Sequence, residues 1–181
     1  MNAKFIETAN SHKAEFEFFK KTIFPVVMQW EGGGKLHNIL GDSGGQTIWG
    51  IAYNKNKQYF DSLQDHANTT EIEAAAFAFC EYYLPLSPTL LPRNTKLYAF
   101  DMAYNLGVGK AKQFIQETIG VKADGVFGSV TKQKLDTLKL SDLHVKRKRF
   151  YEILSTKGNN SKFLKGWLNR ANDIYIKSSK L

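Results

Sequence analysis

Cysteine is nearly absent from this chain of 181 residues, where Cys80 stands alone. A single thiol excludes an intramolecular disulfide and any cysteine-based zinc cluster. Its setting, EAAAFAFCEYYL, is an apolar helical run, so Cys80 reads as a small core residue. Proline is scarce too: there are four, and three of them crowd into LPLSPTLLPRN, which cannot be regular helix. No apolar stretch is long enough to cross a bilayer as a helix, so no stable membrane insertion is expected. The opening residues, MNAKFIETANSHKAEFEFF, hold no apolar segment followed by a small-residue cleavage site. They predict a soluble product made in the cytoplasm without a signal peptide, which needs separate release or delivery to act beyond the inner membrane. Also missing are a phosphate-binding GK[ST] loop, a dinucleotide glycine fingerprint and an HExxH zinc motif.

Acidic residues are the minority charge. Seventeen Asp and Glu against 25 Lys and Arg leave a net charge of +8, which attracts polyanions such as nucleic acid, anionic lipid or bacterial wall polymers without choosing among them. What is abundant is aromatic: 13 Phe, 8 Tyr and 3 Trp supply a packed core and leave rings over for a carbohydrate groove. The length suits one compact domain or two tightly joined lobes.

Residues 11 to 30 read as helix, with Phe16, Phe19, Ile23, Val26, Val27 and Trp30 on one face and Pro25 forcing a kink or a split into two. Gly32 to Gly34 end that helix, because glycine accepts the left-handed cap. Leu36–Leu40 and Gln46–Ala52 read as two short strands joined by the turn GDSGG. Thr70 to Glu73 match a capping box, and a helix should run from there to about Tyr83. The proline-rich stretch is the candidate boundary between lobes, giving regions 11–92 and 93–181 packed as one unit. From Lys96 onward the pattern is helical: LYAFDMAYNLG, KAKQFIQETIG, a helix after the DG turn capped near Ser129, a basic helix from Ser141, and a terminal helix carrying Trp167.

The chemistry concentrates in WEGGGKLHNILGDSGGQTIWGIA, residues 30 to 52. Glu31 stands at a helix end, where apolar neighbours such as Trp30 favour a protonated acid. Asp42 follows in a glycine-rich turn and Thr47 in the strand after it. Two carboxyl groups across a small gap are what glycosidic bond cleavage needs: one protonates the leaving oxygen, the other stabilises positive charge or directs a water. Each residue alone has a plain structural reading, Glu31 as an exposed helix end, Asp42 as a turn residue and Thr47 as a strand residue. His37 either lines the cleft or is a solvated loop histidine. Trp49, Tyr104 and Trp167 are core rings by default, or groove walls stacking on a sugar face. The run Lys146 to Arg149 reads as a solvated helix face rather than a nucleic-acid contact.

The pieces EGG and DSGGQTIWGIA resemble the EGG…DxGGxTxxGI signature of glycoside hydrolase family 108, a lysozyme-like group of N-acetylmuramidases. FDMAYNLGVGKA, IQETIGVKADGVFGSVT and FLKGWLNR resemble the peptidoglycan-binding region that accompanies it, so the likeness spans about residues 15 to 175. It implies a mainly helical α+β lysozyme-like fold with one small antiparallel hairpin near the N-terminus and a cleft between two lobes. It also implies that Glu31 is the catalytic acid, that Asp42 and Thr47 assist it, and that Asn105 faces the cleft from the helical lobe. Substrate-binding candidates are His37, Trp49, Tyr104, Asn105 and Trp167. The expected partner is the peptidoglycan glycan strand, met by a monomer without metal or cofactor, as in a phage endolysin or an injected effector. Two departures stand out: Glu31 and Asp42 are further apart than the family pattern implies, and the third residue after EGG, commonly aromatic in the family, is not aromatic here, with Gly34 standing nearby. The competing expectation is a non-catalytic wall-binding or phage structural module with the same fold.

Overall fold

Proline at position 25 has no N–H, and its ring crowds the preceding turn, so a regular helix cannot run through it. The computed structural model, which describes residues 3–38 and 43–181, shows how the chain answers. Helix α1 (Lys4–Ser11) and α2 (Lys13–Phe18) are separated at His12, whose φ of −113° and ψ of 37° leave the helical region. A π-helical turn, Phe19–Ile23, then widens the backbone before α3 (Phe24–Met28) starts with the proline in its first turn. Phe16, Phe19, Ile23 and Val27 are buried as the spacing predicted, but Trp30 is 38% exposed. The helix ends at Met28, so Trp30 no longer follows the apolar stripe.

The chain forms two compact units, residues 1–81 and 82–181. In the first, edge-to-face rings make much of the core. Phe5 of α1 meets Phe77 of α6 (Glu71–Ala78) at 5.3 Å, and Phe16 and Phe19 meet Phe79 at 5.2 and 5.4 Å. Helix α6 opens with the predicted capping box: Glu73 N–H donates to the Thr70 hydroxyl at 3.4 Å, and Thr70 N–H donates to the Glu73 carboxylate at 2.8 Å. It passes into a second π-helical turn, Phe79–Tyr83, rather than continuing straight.

The two-stranded antiparallel sheet pairs β1 (Thr47–Ile48) with β2 (Ile51–Ala52), Thr47 opposite Ala52 and Ile48 opposite Ile51. Its turn is Trp49–Gly50, so the stretch Gln46–Ala52, expected as one strand, is folded back on itself. Both turn residues have positive φ, 54° and 77°, the signature of a tight primed turn that matches strand twist. Of the expected earlier strand, one bridge is present: His37 exchanges both backbone hydrogen bonds with Thr47, at 2.8 and 2.7 Å. Ile39 to Asp42, which include the rest of that strand and part of the proposed turn, lie outside the described residues. Short helices α4 (Tyr53–Asn56) and α5 (Leu63–Ala67) follow, the latter capped by the Ser62 hydroxyl.

The second unit begins with 3₁₀ turns at Leu84–Leu86 and Pro88–Leu90. Helices α7 (Arg93–Leu106), α8 (Val108–Thr118), α10 (Leu140–Ser155) and α11 (Leu164–Ser178) pack on one another. Gly107, at φ 87°, separates α7 from α8. Between α8 and α9 (Ser129–Lys134) the ADGVFG loop is organised by buried Gln116, whose amide donates to Asp124 and Val126 and accepts from Gly125 N–H. Gly128 occupies the cap position of α9, next to the expected Ser129. The described residues are mainly helical with one small antiparallel sheet.

Candidate active site

Glu31 sits in the turn just past α3, held there by backbone geometry. Trp30 and Glu31 N–H donate to Val27 and Met28 carbonyls at 2.9 and 3.2 Å, tightening the last turn. Gly33 N–H reaches back to Met28 O at 2.9 Å, while Gly32 and Gly33 take φ values of 78° and 63°. This is a left-handed glycine cap, as the triple glycine predicted. It leaves Glu31 half-buried beside an exposed Trp30.

Two contacts clasp this turn to the hairpin. A Cβ placed on Gly32 would lie 3.3 Å from His37 Nε2, so the imidazole rests against the backbone next to Glu31. A Cβ on Gly34 would stand 2.4 Å from Trp49 Cζ2, so the indole occupies the room a side chain would need. Trp49 is anchored further by its indole N–H, which donates to Thr69 O at 3.0 Å, and by Phe24, 6.2 Å away. The left-handed φ of Trp49 is the cost of aiming the ring back at Gly34. Thr47, half-buried on β1, bonds backbone to backbone with His37, and its hydroxyl donates to Gly45 O at 3.3 Å. Glu31, His37, Trp49 and Thr47 therefore belong to one clasped structure. Asp42 lies outside the described residues.

Beneath the hairpin is a strut that sequence reading passed over. His66 is fully buried between Phe60 and Tyr53. Its Nε2 faces Ile51 O at 2.9 Å, which can only accept, so Nε2 carries the proton. Its Nδ1 then accepts from Gln46 Nε2, also at 2.9 Å, and Gln46 donates in addition to Leu63 O. Burial lowers the His66 pKa, favouring the neutral ring this network needs. The signal for this strut was weak, because a histidine in a polar stretch looks solvated until the fold closes over it. Cys80 is half-buried and its thiol is pushed up to about 11, first by burial and then by Glu81, which suits an inert core residue.

In the second unit, Tyr104 packs against Tyr82 and Phe100, and Trp167 stacks on Tyr151 at 5.3 Å with Phe163 beside it. Asn105 is exposed near the end of α7, and its Oδ1 accepts from the Tyr151 hydroxyl at 2.9 Å. The Lys146–Arg149 run is not a uniformly solvated face. Arg147 is fully buried on Asp101, with Nη1 to Oδ2 at 2.7 Å, and Arg170 grips the other oxygen of the same carboxylate at 2.8 and 2.9 Å. Burial opposes the Arg147 charge, yet Asp101, Tyr151 and Tyr98 together raise its pKa above the ordinary value. Lys146 pairs with Glu117 at 3.0 Å.

Residues 24–107 match the family described as glycosyl hydrolase 108, and residues 110–172 match one described as a predicted peptidoglycan domain. The solved structure of Brucella abortus SagA aligns with a TM-score of 0.73 at 23% identity, covering 93% of this chain and 95% of that chain. At that identity the likeness establishes the fold. No curated protein matches the chain.

Proposed function

We propose, for a chain that belongs to glycosyl hydrolase family 108 and carries a peptidoglycan domain behind it, that Glu31 is the proton donor of an N-acetylmuramidase. Its class, a glycoside hydrolase acting on peptidoglycan, follows from the two matched regions. The bond we assign is the β-1,4 link between N-acetylmuramic acid and N-acetylglucosamine. Glu31 protonates the departing glycosidic oxygen, while Asp42 and Thr47 hold a water on the opposite ring face or stabilise the oxocarbenium ion. The supporting observation is the double clasp. His37 against Gly32 and Trp49 against Gly34 tie the Glu31 turn to the hairpin that carries Thr47. In this reading Trp49 serves by positioning that turn, and His37 borders the acid.

Peptidoglycan is the substrate, and the net charge of +8 draws the enzyme to anionic wall material. Activity should therefore weaken as salt shortens the screening length, about 10 Å at 0.1 M. Nucleic acid is not a partner in this reading, because the basic run has Arg147 buried and Lys146 paired. Among the described residues no helix is long and apolar enough to cross a membrane. We place the enzyme, working as a monomer, at the cell wall after release or delivery from the cytoplasm, as an endolysin or an effector would be.

Mass spectrometry of muropeptides from digested peptidoglycan tests the assignment. New reducing ends on muramic acid, absent with Glu31→Gln, are expected. Reducing ends on glucosamine, or freed peptides, would overturn it. The anomer released first distinguishes an inverting route, with carboxyls roughly 6.5–9.5 Å apart, from a retaining one at roughly 5–5.5 Å.

A further inference from the structure

A guanidinium can only donate hydrogen bonds, and this fixes the direction of a whole chain of them. Arg147 Nη1 forms an ion pair with Asp101 Oδ2 at 2.7 Å. Its Nε and Nη2 both point at the Tyr151 hydroxyl, at 3.2 and 3.1 Å. The Tyr151 oxygen is thus an acceptor on that side, and its single proton is left for the Asn105 side chain at 2.9 Å. The atom of Asn105 that faces Tyr151 must be the carbonyl oxygen. Its NH2 is then turned the other way, and Asn105 is the exposed member of a network whose Asp101, Arg147 and Tyr151 are buried. Tyr151 itself has no freedom to turn: Arg147 lies over its ring at 5.4 Å and Trp167 stacks on it at 5.3 Å.

We propose that this buried relay locks the Asn105 amide so that it offers only a donor to ligand, and that its ligand atom is the acetamido carbonyl oxygen of an amino sugar. Tyr151 is the positioning residue and Asn105 the specificity-determining one. The chemistry favours that acceptor. A sugar hydroxyl can bond to either end of an amide, so a locked orientation would be wasted on it. An acetamido carbonyl accepts and cannot donate, so only the NH2 end serves it. The family match on the glycosyl hydrolase side extends through residue 107, so Asn105 belongs to that region. Loss of any one partner would leave a buried charge uncompensated, which holds Asp101, Arg147 and Arg170 to this arrangement.

The inference rests on the amino-sugar substrate proposed above but not on hydrolysis, so it is tested by binding in a Glu31→Gln background. The probes are soluble glycan fragments from cell wall, fully N-acetylated or chemically N-deacetylated, titrated by calorimetry. The parent should prefer the acetylated probe. Asn105→Asp keeps the bond from Tyr151 but presents an acceptor outward. It should bind the acetylated probe about tenfold more weakly and lose the preference, as should Asn105→Ala. Tyr151→Phe frees the amide to flip and should lose part of the preference, with the Asn105 side-chain amide signals shifting in a ¹⁵N spectrum. Equal binding of both probes by the parent, or unchanged preference in both Asn105 variants, would overturn the proposal. Loss of preference in the Asn105 variants with none in a folded Tyr151→Phe would overturn the relay. Should the wild type release no reducing sugar while the acetyl preference holds, the proposed hydrolysis fails and this inference stands.

Discussion

The two units solve the problem of holding a polar group still in opposite ways. In the first, the Glu31 turn is shaped by glycines and clasped by rings, and the polar side chains around it remain half-buried or exposed. In the second, three ionised groups are taken out of water together, and Asp101 is shared between Arg147 and Arg170. A proton donor must reach its substrate, so dry ionic locking does not suit it, and backbone shape does the positioning. A recognition amide can be held from behind by a dry network and still show one face to solvent. Shape-held groups should tolerate loss of charge and suffer from added volume, and charge-held groups should do the reverse.

That contrast can be broken experimentally. The largest effect is expected from Glu31→Gln, which keeps volume and removes the acid. Turbidity clearing of peptidoglycan should fall by about 10²–10⁴-fold while urea unfolding is little changed. A variant that clears at the wild-type rate would remove Glu31 from the chemistry. Asp101→Asn also keeps volume, yet leaves two buried guanidiniums without their carboxylate. A loss of about 3–5 kcal/mol in the second unit is expected from urea unfolding. A near-neutral result would mean that the charge does not hold that unit. Gly34→Ala adds one methyl where the Trp49 ring already lies, and should lose about 1–3 kcal/mol with a fall in clearing. Combining it with Trp49→Phe should recover part of that loss, and no recovery would show that the ring is not the obstacle.

The smallest effect concerns pH and should touch both units. His66 has a lowered pKa through burial, and His144 through burial, then Lys148 and Arg147. Below the ordinary value of 6.5 the unfolded chain binds protons that the native rings refuse. Stability is therefore fully present above that value and declines as pH falls beneath it. Urea midpoints measured at about pH 7.5 and about pH 5.5 should show the decline, and His144→Gln should lessen it. A midpoint that rises on acidification would contradict the burial of both rings.

Much of the local architecture was legible along the chain. The capping box at Thr70 and Glu73 appears as read, because its partners are three residues apart. The glycine cap after α3 and the stop at Gly107 are local in the same way. The turn at Trp49–Gly50 was missed, and Gln46–Ala52 was read as one strand, because Trp49 at positive φ is a strained choice no local rule favours. It is accepted because the ring then covers Gly34, fifteen positions earlier. Arg147 was read as solvated because three neighbours share its charge. Its carboxylate partner lies on another helix, and nothing in the basic run points to it.

Backbone preference and short-range pairing, both written into neighbouring residues, were enough to establish a mainly helical chain, a glycine-bent acid at the end of a split helix, and a small hairpin nearby. Which surfaces meet was a matter for the folded molecule. Only there did an indole take the space beside Gly34, a histidine become a neutral strut under the hairpin, and a basic helix turn one arginine inward to set the direction of the Asn105 amide. Contact energies of that kind depend on separations in space between residues far apart in the chain, and no window of sequence contains them.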